Sequence, residues 1–259
     1  MTIYEEVRDA LRGGEPVALA TVVEGPHLGA KLLLGPGREP AGTLGDPDLD
    51  RVVARDALGE LEAGLTSTRH YGPHGEARER EVAVFIESFA LPPRMIIFGA
   101  VDFTAALAKV AKVLGYRVTV CDARAVFATV QRFPMADEVV NDWPDRYLAK
   151  VGDELGPRDA VCVLTHDHKF DVPAIASAVK TRVGYLGAMG SRRTHEGRAV
   201  RLREAGVAEA DIARVMSPIG LDVGARTPEE TAISICAEII AARTGRRAQS
   251  LRDSAGPIH

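Results

Sequence analysis

The sequence contains little cysteine, no large excess of charge of either sign and no long apolar run. Its three cysteines, Cys121, Cys162 and Cys236, each lie within a short apolar stretch, and no two have the spacing of metal ligands. This pattern favours buried, reduced thiols over disulfides, which suits a reducing cytoplasm. No apolar run approaches the length of a membrane-spanning helix. The sequence therefore predicts no metal site and no membrane partner.

Charge and composition narrow the class of protein further. The formal net charge of −4 gives no reason to expect a nucleic-acid partner. The amino terminus, MTIYEEVRDALRGGEP, is acidic and amphipathic rather than a signal peptide, so we expect a cytoplasmic protein. A chain of 259 residues that is 46% hydrophobic can form one large or two small globular domains.

Residues 94–124 carry the pattern that predicts the main fold. The apolar run 95–98 ends at Gly99, and a second β-rich run, 116–120, is followed by Asp122. Between them, one helical face is formed by Phe103, Ala106, Leu107, Val110, Val113 and Leu114. Gly115 has the character of the residue that ends a helix. Strand, turn, helix, strand and a following acid outline a nucleotide-binding βαβ unit.

The turn in this unit lacks two of the three glycines of the dinucleotide fingerprint. It reads Gly99, Ala100, Val101, Asp102. Val101 places a branched side chain where the backbone should approach a pyrophosphate, and Asp102 would repel the phosphates. NAD(P) binding is therefore possible in outline but disfavoured by Val101 and Asp102.

Two domains are predicted: a small N-terminal α+β domain over 1–90, and a Rossmann-like α/β domain with a doubly wound parallel sheet over 91–259. Leu91-Pro92-Pro93 marks the boundary, because two prolines preclude a helix that runs across it. Helices are predicted at 4–12, 48–65, 103–114, 144–151, 170–181, 191–205 and 227–243, strands at 16–23, 31–34, 81–89, 95–98, 116–120, 138–140, 159–164 and 182–186, and a turn at 42–45.

Four polar clusters follow predicted strands of the second domain. Because ligands of open α/β sheets lie beyond the carboxyl ends of the strands, we expect these clusters to form one site. The candidate cofactor-binding residues are Gly99, Ala100, Val101, Asp102, Asp122, Arg124, Thr165, His166, Asp167, Gly187, Gly190, Ser191, Arg192 and Arg193.

The stretch Gly190–Arg193 is the most suggestive of the four, since a helix start with two arginines attracts phosphate. The alternative is a capped helix with solvated arginines. His166 is a candidate catalytic residue, although a structural or ligand-orienting role is the first interpretation. Asp122 could hold ribose hydroxyls or pair with Arg124. Glu238 also requires an explanation, because it lies on an apolar helix face.

Five blocks in matching order resemble the XdhC/CoxI family, the accessory proteins of molybdenum hydroxylases such as xanthine dehydrogenase. They are LGYRVTVCDAR (114–124), RFPMADEVV (132–140), VLTHDHKFD (163–171), YLGAMGSRRT (185–194) and SPIGLDVGARTPEETAISICAEIIAAR (217–243). The first domain resembles the N-terminal domain of the family through GEPVALATVV (14–23) and the strand at 81–89.

The resemblance implies a cofactor-insertion chaperone more than a catalyst. Such proteins bind molybdenum cofactor (molybdopterin) as cargo, guard it during sulfuration and deliver it to the apo-enzyme of a molybdenum hydroxylase. It also implies a homodimer, a phosphorylated small-molecule ligand and a cysteine desulfurase as a further partner. Two alternatives remain open, an NAD(P)-dependent oxidoreductase that uses the degenerate Rossmann domain and a non-catalytic docking module.

Three segments depart from the family pattern. A G-S-x-P-R stretch is replaced by Gly25-Pro26-His27-Leu28, a Gly-Gly-Cys segment by Gly45-Asp46-Pro47, and the G-x-G turn by Gly99-Ala100-Val101. These changes argue against cofactor handling by the first domain and favour a relative that kept the fold and changed its ligand.

Overall fold

A computed structural model describes residues 2–77 and 79–253. The chain divides into two compact units, of which the first ends at Leu91 and the second begins at Pro92.

The first unit is an antiparallel sheet with helices. Its elements are α1 (Ile3–Gly13), β1 (Val17–Glu24), β2 (Lys31–Leu34), β3 (Ala41–Thr43), α2 (Pro47–Ala63), β4 (Ser67–Tyr71) and β5 (Val82–Phe89). The strand order is β3-β2-β1-β5-β4. Leu49, Val53 and Ala57 of α2 pack on Val22, Val84 and other buried residues of the central strands. This is the α+β arrangement that the sequence predicts.

Two strands of this unit escape the sequence patterns. The turn predicted at 42–45 is wrong at its first two residues, because residues 41–43 form the edge strand β3, which pairs with β2. The strand β4 reads STRHY and buries only Tyr71, so it has no apolar alternation. Its pairing with β5 along five residues holds it in the sheet instead.

The second unit is a parallel sheet with helices on both faces. Its elements are β6 (Arg94–Phe98), α3 (Asp102–Val113), β7 (Arg117–Cys121), β8 (Glu138–Val140), α4 (Pro144–Val151), β9 (Ala160–Val163), α5 (His168–Ala178), β10 (Tyr185–Ala188), α6 (Arg192–Glu204), α7 (Glu209–Ile212), β11 (Val215–Met216) and α8 (Pro228–Thr244). The strand order is β11-β10-β9-β6-β7-β8, and every pair is parallel. This is the order of a doubly wound Rossmann sheet, so the predicted fold class is confirmed.

Both faces of the central strands are covered, which explains their continuous apolar sequence. Met95 and Ile97 of β6 pack in the cluster that contains α3 and α8, whereas Ile96 and Phe98 pack in the cluster with α4 and α5. The prediction for the buried face of α3 is wrong at its end, because Val113 is 86% exposed. The buried residues of α3 include Leu107 and three alanines, Ala106, Ala108 and Ala111, and the alanines let α3 pack closely against α8.

In the last third of the chain, one predicted strand is shifted, two short elements escape prediction and one predicted helix start is confirmed. The strand predicted at 182–186 occupies Tyr185–Ala188, since Gly184 lies against the backbone of Pro157 and the strand begins only after that contact. The short elements α7 and β11 have too few residues to show a period. By contrast, α8 begins as predicted, with Thr227 and Glu230 forming a capping box.

Candidate functional site

The order of the strands reverses between β6 and β9, and ligands of such sheets bind beyond that point. Here the two strand ends are in close contact. The amide of Leu164 donates to the carbonyl of Phe98 at 2.8 Å. A Cβ on Gly99, whose φ is +114°, would lie 2.7 Å from Cγ2 and 3.0 Å from the amide nitrogen of Thr165. Gly99 is therefore required by this strand contact itself, whether or not a ligand lies nearby.

Both oxygens of the Asp122 carboxylate accept hydrogen bonds from groups within the protein. It is 4% exposed, and it accepts from the amides of Ala100 at 2.7 Å and Arg124 at 2.9 Å. The Arg124 guanidinium donates to it at 3.0 and 2.8 Å. Burial raises the pKa of this carboxyl, but the hydrogen bonds from Arg124 and Ala100 outweigh it and hold the pKa of Asp122 below its usual value. Of the two predicted roles, the pair with Arg124 is the one formed.

The residues at this turn do not fit a dinucleotide. The amide of Ala100 bonds to Asp122 and is not free for a pyrophosphate. Asp102 begins α3 with its side chain 91% exposed, so a carboxylate stands at the helix start where phosphates would lie. The acid that would hold ribose hydroxyls already has both oxygens occupied.

A buried polar network lies under the rim on the other side of the reversal point. The Thr165 hydroxyl donates to Asp171, and Arg198 Nη2 donates to Asp171 Oδ2 at 2.9 Å. Arg198 also donates to the carbonyl of Met189 at 2.7 Å and to Ser217 Oγ at 3.1 Å. Asp171, Arg198 and Thr165 are all buried. Burial raises the pKa of Asp171, and the bonds from Thr165 and Arg198 act against that rise.

Sequence reasoning missed Asp171, Arg198 and Ser217. Arg198 appears as one of several arginines in a basic helix, yet it is four residues from the buried Leu202 and so lies on the face toward the sheet. That spacing was the available signal. The network matters because it ties α6 to the turn at Met189, which leads into the predicted phosphate site.

The start of α6 has the features of an anion site. Ser191 is the N-cap, and its hydroxyl accepts from the amide of Thr194 at 3.1 Å. Arg192 and Arg193 are exposed in the first turn, and Gly190 precedes them with φ +142°. Helix amides and two guanidinium groups therefore share one exposed end of the rim.

The other predicted residues take several positions. His166 is exposed at the rim, and Asp167 is the N-cap of α5, accepting from the amide of Lys169 at 2.9 Å. Gly187 lies inside β10 rather than in a rim loop. A Cβ at this position would lie 2.5 Å from Ile219, so close packing explains the glycine without a ligand.

Glu238 has a structural explanation. Its Oε2 accepts from the Tyr185 hydroxyl at 2.5 Å and from the amide of Gly220 at 2.9 Å. Tyr185 is buried on β10, so this carboxylate ties α8 to the sheet and to the loop that precedes the helix. All three cysteines are buried and free, as predicted, and burial raises the pKa of Cys121 to about 12.

Within residues 2–77 and 79–253, no group of three or more His, Cys, Asp or Glu side chains is arranged to hold a metal ion. The same part of the chain contains no helix that is both long and apolar enough to cross a membrane.

Comparison with known families agrees with this architecture. The model of the XdhC Rossmann domain matches residues 95–239, and that of the XdhC and CoxI family matches residues 10–72. The chain belongs to the XdhC and CoxI family. The resemblance predicted from the sequence is thereby confirmed.

Three curated relatives are similar to this XdhC/CoxI chain. A probable xanthine dehydrogenase subunit of Bacillus subtilis (strain 168) is 31% identical over 241 residues, which is 93% of this chain and 64% of that protein. The uncharacterized protein YqeB of Escherichia coli (strain K12) is 28% identical over 252 residues, 93% of this chain and 46% of YqeB. The molybdenum cofactor insertion chaperone PaoD of the same strain is 31% identical over 99 residues, 38% of this chain and 31% of PaoD. The chain thus spans less than two thirds of the length of each.

A solved structure shares the fold. The crystal structure of a xanthine dehydrogenase from Bacillus halodurans aligns with a TM-score of 0.55 and 20% identity, over 97% of this chain and 98% of that one.

Two of the segments in which this XdhC/CoxI member departs from the family pattern meet in the first unit. Gly45 has φ +105°, and a Cβ on it would clash with the ring of His27. Asp46 is the N-cap of α2 and also bonds to Nδ1 of His74 at 2.8 Å. The changed residues thus contact one another or cap a helix.

Proposed function

We propose that this protein is an accessory factor in molybdoenzyme maturation, which binds molybdenum cofactor as cargo and delivers it to the apo-enzyme of a xanthine dehydrogenase-type hydroxylase. Its membership of the XdhC and CoxI family supports this role, as do the names of two relatives, a molybdenum cofactor insertion chaperone and a probable subunit of xanthine dehydrogenase. Homodimer formation and an encounter with a cysteine desulfurase belong to the same proposal.

The observation that carries the proposal is the start of α6. Arg192 and Arg193 lie in the first helical turn, and the buried Arg198–Asp171 pair holds the preceding turn through the carbonyl of Met189. A phosphate group of the cargo would be bound there by charge-assisted hydrogen bonds. A site whose supporting residues are buried loses little conformational entropy when the ligand binds.

The remaining rim residues would orient the polar edge of the cargo. Thr165 is fixed by its bond to Asp171, while the exposed His166 and the helix cap Asp167 lie next to it in the chain. His166 remains a candidate catalytic residue, and we assign it no reaction.

Binding can be tested by anaerobic calorimetric titration of the protein with molybdenum cofactor. We expect Arg192→Ala to weaken binding about tenfold, because a charged hydrogen bond to phosphate is worth roughly 1.5 kcal/mol or more. Arg201→Ala is the matched control: it removes the same charge from the other end of the same helix, where Arg201 donates to the carbonyl of Gly197. Absence of binding to the unaltered protein, or an equal effect of the two variants, would count against the proposed site.

Delivery needs a separate measurement. Cofactor-loaded protein should restore the activity of an apo-hydroxylase faster than the same amount of free cofactor. If a hydroxylase copurifies with the protein but no cofactor binds, the non-catalytic docking module becomes the better description. A fluorescence titration with NADH and NADPH is expected to show no binding, for the reasons that the turn after β6 provides.

A further inference from the structure

A cleft of about 450 Å³ lies on the face of the parallel sheet against which α4 packs, and it begins at the amino ends of β6 and β7. Residues of β6, β7 and β8 form one wall, and α4 and the turn that follows it form the other. None of the lining residues belongs to the predicted cofactor site. The volume lies within the range of about 300–1,000 Å³ that is typical of small-molecule sites.

The wall that the sheet contributes is polar, although β7 is an interior strand. Arg94 of β6 is paired in register with Arg117 of β7, and Thr119 of β7 is paired in register with Glu138 of β8. Alternate residues of a strand share a face, so these four side chains lie on the same face of the sheet. Two arginines side by side on neighbouring strands repel each other.

The charged groups that line this cleft are paired only in part. Two of its cations have carboxylate partners, and these ion pairs are Arg94–Glu154 at 2.7 Å and Lys150–Asp142 at 2.6 Å. Within the part of the chain that the structure describes, Arg117 and Glu138 form no ion pair with each other or with any other residue. One cation and one anion in the same cleft are therefore left without a charged partner.

Two hydroxyl groups hold Glu138 in place without neutralising its charge. The Thr119 hydroxyl donates to Glu138 Oε2 at 3.3 Å, and the Tyr147 hydroxyl donates to the same oxygen at 3.4 Å. Thr119 is 6% and Tyr147 8% exposed, so both donors are buried beside the cleft. Both bonds are longer than the roughly 2.8 Å that is usual for hydroxyl donors. The carboxylate therefore retains the capacity to accept a stronger donor.

We propose that this cleft binds a small zwitterion whose carboxylate and ammonium groups are separated by several methylene groups, as in an ω-amino acid or a diamino acid. The carboxylate binds the Arg117 guanidinium, and the ammonium group binds the Glu138 carboxylate beside the two hydroxyl groups. The methylene chain contacts Ile96 and Val140, which also line the cleft.

The spacing of the two unpaired charges selects the length of the ligand. Arg117 and Glu138 lie on neighbouring strands with an offset of two residues, so their Cα atoms are roughly 8 Å apart. The two charged groups of 5-aminopentanoate can reach a comparable separation, whereas those of glycine are attached to the same carbon atom. We therefore expect the cleft to favour ω-amino groups over α-amino groups.

The test is a calorimetric titration of the full chain with glycine, 4-aminobutyrate, 5-aminopentanoate, 6-aminohexanoate, ornithine and lysine, beside pentanoate and pentylamine, which each carry one charge. At least one of the longer zwitterions should bind ten times more tightly than glycine and than either singly charged compound. Whether ω-amino acids or diamino acids bind best identifies the source of the ligand. Failure of every zwitterion to bind more tightly than about 1 mM would overturn the inference.

Two variants report separately on the two charges of the cleft. In Glu138→Gln the best zwitterion should bind no more tightly than pentanoate, and in Arg117→Gln no more tightly than pentylamine, so that each affinity falls about tenfold or more. Arg146→Gln, which changes an exposed arginine of α4 that does not line the cleft, is the matched control and should bind as the unaltered protein does. Binding that ignores both Glu138→Gln and Arg117→Gln would contradict the proposal.

Thermal unfolding separates a loss of binding from a loss of folding. Because Arg117 repels Arg94 and has no ion pair in the part of the chain that the structure describes, Arg117→Gln should not lower the midpoint of unfolding. The inference does not depend on the cargo proposed for the start of α6. If zwitterions bind here while molybdenum cofactor does not bind at all, the maturation role fails and this inference stands.

Discussion

Asp122 shows how one side chain can keep its place in a fold and change its use. It stands where a Rossmann protein places the acid for ribose hydroxyls. Here the Arg124 guanidinium and two backbone amides satisfy it, and it is almost fully buried. The acid thereby joins the turn after β6 to the end of β7, and its role is to hold the rim together.

A prediction at the scale of this residue concerns the stability of the variant Asp122→Asn. Because the pKa of Asp122 is lowered in the folded state, its carboxylate stabilises the protein at neutral pH. That contribution is lost as the pH falls from the ordinary pKa of an aspartate to the lower pKa that Asp122 has in the folded state. Urea unfolding at pH 7 should show a loss of about 2 kcal/mol, and the loss should shrink toward pH 3. Asp222→Asn, in an exposed loop, serves as control and should change stability by less than about 0.5 kcal/mol. A loss that is constant with pH would contradict this account.

At the scale of elements, the ends of β6 and β9 decide the shape of the rim. The two strands lie side by side, and Gly99 lets Thr165 approach the turn closely. The Thr104 hydroxyl in α3 donates to the carbonyl of Gly99 at 2.5 Å. One glycine thus serves both a strand contact and the start of a helix.

Two glycine substitutions separate close packing from backbone conformation. Gly99→Ala combines a φ of +114° with contact to Thr165, and we expect it to cost about 3 kcal/mol. Gly115→Ala has a φ of +81° and no described atom within 4 Å of the added methyl, so its cost should be about 1 kcal/mol. Denaturation midpoints of the two variants measure the difference. Equal costs would show that the strand contact is looser than described.

At the scale of the whole molecule, the chain contains separate hydrophobic cores in its two units. Ile86 is buried in the core of the antiparallel sheet, and Ile97 in one of the two clusters that flank the parallel sheet. Among the residues that the structure describes, no single cluster includes both. We propose that the two units are also separate units of folding, as the two prolines at 92–93 suggest.

Scanning calorimetry can test this independence. Ile86→Ala and Ile97→Ala each leave a cavity in one core and should each cost about 3 kcal/mol. We expect two thermal transitions, with each substitution lowering the midpoint of only one of them. A single transition that both substitutions lower would show instead that the units unfold together.

Sequence periodicity predicted the elements that bury an apolar face. It failed where a segment is held in place only by hydrogen bonds to a neighbouring strand. The capping box at Thr227 and Glu230 gave the start of α8, and the run at 159–164 gave β9. The strand STRHY at 67–71 shows no such signal, because its partner β5 supplies its hydrogen bonds. The exposed Val113 shows the opposite error, an apolar residue on a predicted face that the sheet does not reach.

The sequence by itself determined the family, the alternation of strands and helices, and the clusters that follow the strands, because these depend on short-range spacing and on chain order. Only the tertiary structure decided which of those polar residues are free to meet a ligand. Asp122 is satisfied by Ala100, which lies 22 residues away, and Arg198 is buried against Asp171 across 27 residues. These two partners come from segments that meet only after folding, so local spacing does not identify them.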